Sequence, residues 1–196
     1  AYTCPQAIRT SIPEAQHSTF WVRDRAVEYL SSAQRKETSF FAFLSFPDPH
    51  HPFAPPGKYW DMYCPDDMVL PDSFHQHSNN PPPHLKWLRE HGQIGEAGYG
   101  AARVTEQQAR EAMALTCGMI AMVDDAVGAI LDTLDAQGLT EDTVLVFTSD
   151  HGDFLGDHGM ILKGPMHYQS TVKVPFIWSD PDTLEPTRTT RLSSSV

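Results

Sequence analysis

Apolar residues change period along this chain, and the period marks out the elements. Ala112, Leu115, Met119, Met122, Val123, Ala126, Val127, Ile130, Leu131 and Leu134 recur at helical spacing, which puts them on one face of a long helix. Thr105-Glu106-Gln107-Gln108 is a capping-box sequence at its start, and Gly138 stands where a helix C′ residue belongs. A shorter helix is expected from a cap at Ser18 or Thr19 to about Ser31, with Phe20, Val27 and Leu30 facing one way. Two other stretches lose the helical period. Phe40 to Phe46 is apolar on both faces, as a buried parallel strand requires. Thr143 to Thr148 is β-branched and apolar, and Val172 to Trp178, interrupted by Pro175, reads as a further strand.

Strand, long crossover helix, strand is the βαβ unit of a parallel sheet, so the chain is expected to be α/β. The strands ending at Phe46 and Thr148 then run the same way. Their carboxyl ends bring His50 and Asp150-His151 to one rim, where open α/β sheets bind ligands. Between them, residues 47–104 are rich in Pro, Gly, His and Asn. This region is expected to be irregular apart from a short helix at His84 to His91, and to shape a pocket.

Composition narrows the partners. The 196 residues are 40% hydrophobic, enough for one sizeable core in a single domain. A net charge of −11 disfavours nucleic acid or an anionic membrane as partner. It leaves room for a small anionic substrate, because a metal site can oppose the global field. No run is read as transmembrane, and the chain is expected to be soluble, cytoplasmic or periplasmic. Cys4, Cys64 and Cys117 form neither a zinc pattern nor a disulfide framework.

The chemistry concentrates after the strand ending at Thr148. Ser149-Asp150-His151-Gly152-Asp153 places a hard oxygen and an imidazole nitrogen side by side, donors suited to a divalent cation. Leu155-Gly156-Asp157-His158-Gly159 and then Lys163-Gly164 follow, and Asp48-Pro49-His50-His51-Pro52 lies upstream. Asp124 and Asp125 sit on consecutive helical positions about 100° apart, which does not suit joint ligation of one ion.

Together, Thr148 to Asp153, Leu155 to Gly159, Lys163-Gly164 and the Pro-His-x-Pro segment closely resemble the sulfatases of the alkaline phosphatase-like superfamily. The likeness runs from about Ser18 to Trp178. It implies a partial alkaline phosphatase-like sandwich, a mostly parallel sheet flanked by helices. It further implies that Asp150 and His151 are metal ligands, that Lys163 contacts sulfate oxygens, and that His50 contacts the bridging oxygen and can donate a proton. His167 is a further candidate for the pocket wall. Asp157 and His158 are expected to make structural hydrogen bonds, and His51 to pack or face solvent, unless the register slips by one residue. Calcium is the metal the resemblance implies; imidazole at 151 leaves manganese or zinc open.

The family's Cys-x-Pro-Ser-Arg motif, source of its formylglycine nucleophile, does not occur in residues 1–196. The chain therefore reads as one incomplete catalytic domain, an internal segment whose first partner is the remainder of that domain. A homo-oligomer stays open. The expected activity is hydrolysis of sulfate esters. A phosphonate monoester or phosphodiester hydrolase, and a non-catalytic sulfatase-like binding module, are the alternatives.

Overall fold

The computed structural model describes residues 2–32, 38–76, 80–83, 86–87, 90, 101–164, 166–182 and 188. Two helices form its framework. Helix α1 (Ser18–Ser31) is capped by His17, whose Nδ1 accepts the Thr19 N–H at 3.4 Å. The cap falls before the expected Ser18 or Thr19: both lie inside the helix, and Thr19 is buried and donates its hydroxyl to Asp48. Helix α2 (Glu106–Ala136) begins with the expected capping box, Gln108 N to Thr105 Oγ1 at 3.2 Å and Thr105 N to Gln108 Oε1 at 3.0 Å. It ends in a Schellman closure on Gly138, at φ 65°: Gly138 N bonds Asp135 O and Leu139 N bonds Leu134 O.

Helix α2 is long and apolar enough to cross a membrane by length and composition, which the sequence reading had not attributed to any run. Its apolar face is that of a core helix. Leu115 and Met119 pack with Phe53, Trp60 and Ile161, Met122 with Phe20 and Tyr59, and Ile130 and Leu134 with Ala26 and Leu30 of α1. Gly118 is needed where α2 crosses the 57–60 turn, since a Cβ there would lie 2.3 Å from the Tyr59 carbonyl oxygen.

The sheet departs from expectation. Strand β1 (Ala102–Arg103) pairs with β3 (Met160–Ile161), and β2 (Leu145–Thr148) pairs with β4 (Phe176–Ser179), both antiparallel. Among the described residues, parallel pairing is limited to the isolated bridge Ala7–Phe53. Strand β4 starts at Phe176 and not at Val172, because Val172 closes the short helix α3 (Gln169–Val172). Pro175 follows, lacking an N–H for the ladder. Residues 40–46 join no ladder among the described residues. Phe40 and Phe46 pack with Leu145 against α1 and α2, while Phe41 and Phe43 face solvent at 91% and 82% exposure. One face of that segment and β2 thus share a helical floor, and their carboxyl ends lead to the same region.

Residues 47–104 hold 3-10 turns at Gly57–Tyr59 and Pro65–Asp67. Lys86, Trp87 and Glu90 are helical, in agreement with the short helix expected there. The rest of that helix, Gly92, Gly95, Gly98 and Gly100 lie outside the described residues.

Candidate active site

At the end of β2 the chain turns through Ser149 to Asp153. Asp150 Oδ1 accepts the His151 N–H at 2.9 Å, and Ser149 Oγ donates to the His151 carbonyl at 2.9 Å. His151 Nδ1 lies 2.9 Å from the Gly152 carbonyl oxygen. A carbonyl only accepts, so Nδ1 carries a proton. In the neutral ring, Nε2 then turns a lone pair toward Asp150 Oδ2, 3.5 Å away. A proton on Nε2 or a bound cation satisfies this pair, and oxygen plus imidazole nitrogen suits a divalent ion. This donor pair fits the implied metal. Among the described residues no larger group of His, Cys, Asp and Glu is gathered for an ion.

Gly152 fastens this turn. Its N–H bonds the Thr171 carbonyl at 2.8 Å, and a Cβ would lie 2.0 Å from the Ser170 carbonyl oxygen. No side chain fits between β2's end and α3.

The next ten residues fold back to deliver Lys163. Phe154 N bonds Leu162 O at 2.9 Å and Gly156 N bonds Met160 O at 2.7 Å, around a 3-10 turn at Asp157–Gly159. Leu162 takes φ 67° and turns the chain out of the core toward Lys163. The half-buried ammonium is held below its ordinary pKa by burial, while Asp153 and Asp150 pull it back up. Asp153, accepting the Leu155 N–H at 3.0 Å, is pushed up by burial against the opposing pull of Leu155, Lys163 and His151. Lys163 therefore sits in the field of both carboxylates.

The upstream segment reaches the same cluster. Asp48 ties it to α1 by accepting the Thr19 hydroxyl. His50 is exposed, its Nδ1 lies 2.5 Å from the His51 carbonyl oxygen, and its ring stacks on His51 with centroids 4.0 Å apart. His51 is pushed down to about 4, first by burial, then by the electrostatic influence of His50, Lys163 and His151. That mutual influence brings the 50–51 segment together with His151 and Lys163. Of the two histidines, His51 is the more enclosed.

Lys163 is thus within the electrostatic reach of Asp150 and Asp153, and His51 within that of Lys163 and His151, with His50 stacked on it. His167 is exposed and makes no hydrogen bond or ion pair with the cluster among the described residues. Asp157 and His158 are structural: Asp157 accepts from Ser73 Oγ and, at 2.6 Å, from Ser170 Oγ, and His158 Nδ1 donates to Gln76 O at 3.0 Å. The sequence gives Asp153 no role, and has His51 pack or face solvent unless the register slips by one residue. Two adjacent histidines before a proline were the available signal. Asp125, set aside as a ligand, pairs with Lys58 at 3.0 Å and Tyr59 at 2.6 Å. Cys4 is buried, and burial and the Glu111 and Asp153 carboxylates push its thiol up to about 12, which disfavours the thiolate.

The fold and the Asp-His/Lys arrangement define an α/β domain of alkaline phosphatase-like type. The sulfatase family model matches residues 2–196, and the chain belongs to the sulfatase family. It is 33% identical over 177 residues to the multifunctional alkaline phosphatase superfamily protein PehA of Trinickia caryophylli, covering 85% of this chain and 33% of that one. It is 31% identical over 177 residues to the arylsulfatase of Clostridium perfringens (strain 13 / Type A), covering 87% and 34%. Among solved structures, the phosphonate monoester hydrolase of Agrobacterium radiobacter superposes with a TM-score of 0.73 at 26% identity, covering 92% of this chain and 36% of that one. The phosphonate monoester hydrolase from Silicibacter pomeroyi shares the fold, with a TM-score of 0.67 at 20% identity, covering 93% and 39%. The chain spans about a third of the length of the curated relatives it matches.

Proposed function

We propose that the intact protein hydrolyses sulfate esters, with this chain supplying the anion-binding and metal-binding half of its active site. The observation that carries the reading is Lys163, half-buried in the field of Asp150 and Asp153 and close enough to His51 to depress its pKa. An ammonium so placed stabilises negative charge that grows on ester oxygens as the S–O bond breaks. His50, at the edge of the cluster, donates a proton to the departing oxygen.

Asp150 and His151 are the residues that would hold a divalent ion, calcium by family resemblance, with manganese or zinc suited to the imidazole. When bound, such an ion supplies Lewis acidity toward the ester oxygens. The formylglycine nucleophile of this proposal comes from elsewhere in the polypeptide, since no Cys-x-Pro-Ser-Arg motif occurs in the chain. A phosphonate monoester or phosphodiester hydrolase is the second reading, favoured by the likeness to the Agrobacterium radiobacter enzyme.

The test is turnover of aryl sulfate and aryl phosphonate esters by the intact protein and its Lys163→Ala variant. Loss of one charge-stabilising donor lowers kcat about a hundredfold, far more than it raises KM. Lys163→Arg does not restore the rate, because a broad guanidinium fork does not replace a point charge. A Lys163→Ala kcat close to wild type removes Lys163 from the site. Faster turnover of the phosphonate selects the second reading, and turnover of neither ester defeats both.

A further inference from the structure

The two nitrogens of His51 have sharply different surroundings. Its Nδ1 is sealed from solvent and has no hydrogen-bond partner. Nε2 is not sealed, and no protein group bonds it among the described residues. A neutral imidazole carries a single N–H. Orphaned buried N–H groups are rarer in proteins than under-satisfied acceptors, so the sealed Nδ1 is the bare nitrogen and Nε2 holds the proton. The groups that act on this ring are the stacked His50, Lys163 and His151, all cationic or able to become so. With burial, they hold it neutral down to a pKa of about 4.

A neutral ring with its proton on the open nitrogen is a fixed donor. It has no lone pair left for a metal ion there, and it does not cycle a proton near neutral pH. Of the groups acting on this ring, Lys163 is the fixed positive charge, and an acceptor ligand drawn to it is anionic.

We propose that His51 binds the tetrahedral oxyanion of the ester as a hydrogen-bond donor through its open Nε2–H. The proposal rests on the hydrolase reading for the ester, but its ligand class, a sulfate, phosphate or phosphonate group, is tested without turnover. It separates the two histidines: His50 serves the leaving oxygen, and His51 holds the group being transferred.

The experiment uses the intact protein and inorganic phosphate as probe, with binding followed by calorimetry. A glutamine amide reaches the place of imidazole Nε2, whereas an asparagine amide reaches only that of Nδ1. His51→Gln is therefore expected to bind phosphate within roughly threefold of wild type, and His51→Asn and His51→Ala at least roughly tenfold more weakly, the range of one hydrogen bond to a charged acceptor. The KM for the ester follows the same order. Lost packing alone would treat glutamine and asparagine alike, so equal affinities for those two variants overturn the proposal. An alanine variant that binds like wild type does the same.

Thermal melts establish that each variant is folded. Independently of any variant, nitrogen NMR of the labelled wild-type imidazoles should show His51 as the Nε2–H tautomer at pH 7, responding to saturating phosphate. A Nδ1–H tautomer, or no response, refutes the assignment. Failure of the hydrolase reading looks different: neither ester is turned over while the glutamine-over-asparagine order in phosphate binding persists.

Discussion

Replacing Gly152 with alanine tests whether the Asp150-His151 pair is held in place by the packing of the residue that follows it. A Cβ built on Gly152 lies 2.0 Å from the Ser170 carbonyl oxygen and 3.1 Å from its carbonyl carbon. That is roughly 1.5 Å inside ordinary van der Waals separation. The obstacle is backbone, so no rotamer change relieves it. Either α3 or the end of β2 must withdraw. Withdrawal breaks the 2.8 Å bond from Gly152 N to Thr171 O and pulls on Ser170, whose hydroxyl holds Asp157 at 2.6 Å.

Overpacking of this kind costs about 1–3 kcal/mol, and the lost hydrogen bond about 1 kcal/mol more. The total for Gly152→Ala is about 2–4 kcal/mol, a fall in Tm of roughly 5–15 °C for a domain of this size. Because Gly152 O also fixes the His151 tautomer at 2.9 Å, the facing donors should separate. Metal affinity should then fall along with stability. Thermal denaturation with and without added calcium or manganese, in the intact protein, measures both. A variant that melts within about 2 °C of wild type and binds metal equally well would show that the contact with Ser170 is slack and the reasoning mistaken.

Other outcomes follow from the same interactions. The buried Glu111 carboxylate accepts Thr3 N at 2.7 Å and Cys4 N at 2.6 Å. Glu111→Ala therefore leaves two amides without an acceptor and should cost about 2–4 kcal/mol in urea unfolding; an unchanged midpoint would mean that the amides find water. The pH dependence of stability carries the mark of His51, whose pKa of about 4 lies below its ordinary 6.5. Between those values the unfolded chain binds the proton and the folded chain does not, so stability rises with pH. The contribution is complete above pH 6.5 and lost as pH falls toward 4. With the ring still partly exposed and screened, this amounts to about 1–2 kcal/mol. The wild-type minus His51→Gln stability difference should show that slope, and a flat difference across the window would contradict it.

What the sequence determined by itself was local. The capping box and Gly138 bound α2 because their partners lie three to five residues away, so composition and spacing suffice. Ser149 to Asp153 was legible for the same reason, as a strand end followed by donors suited to a cation, whereas Lys163 stood out through the resemblance to the sulfatases. The α/β class also followed, since it depends only on the order of helical and extended periods.

Pairing was decided by tertiary structure. Nothing in Leu145 to Thr148 states that Phe176 to Ser179 will lie antiparallel to it, and residues 40–46 have strand composition yet no ladder among the described residues. A ladder is a property of two segments, and apolar alternation describes only one. The roles of the neighbouring histidines were hidden for a related reason. His50 and His51 are the same residue type one position apart, and only the packing around them seals Nδ1 of His51 while leaving His50 at the surface. Glu111 makes the same point from the core: a glutamate inside an apolar helical period reads as an interruption until Thr3 and Cys4 arrive, more than a hundred residues away in the chain, to donate to it.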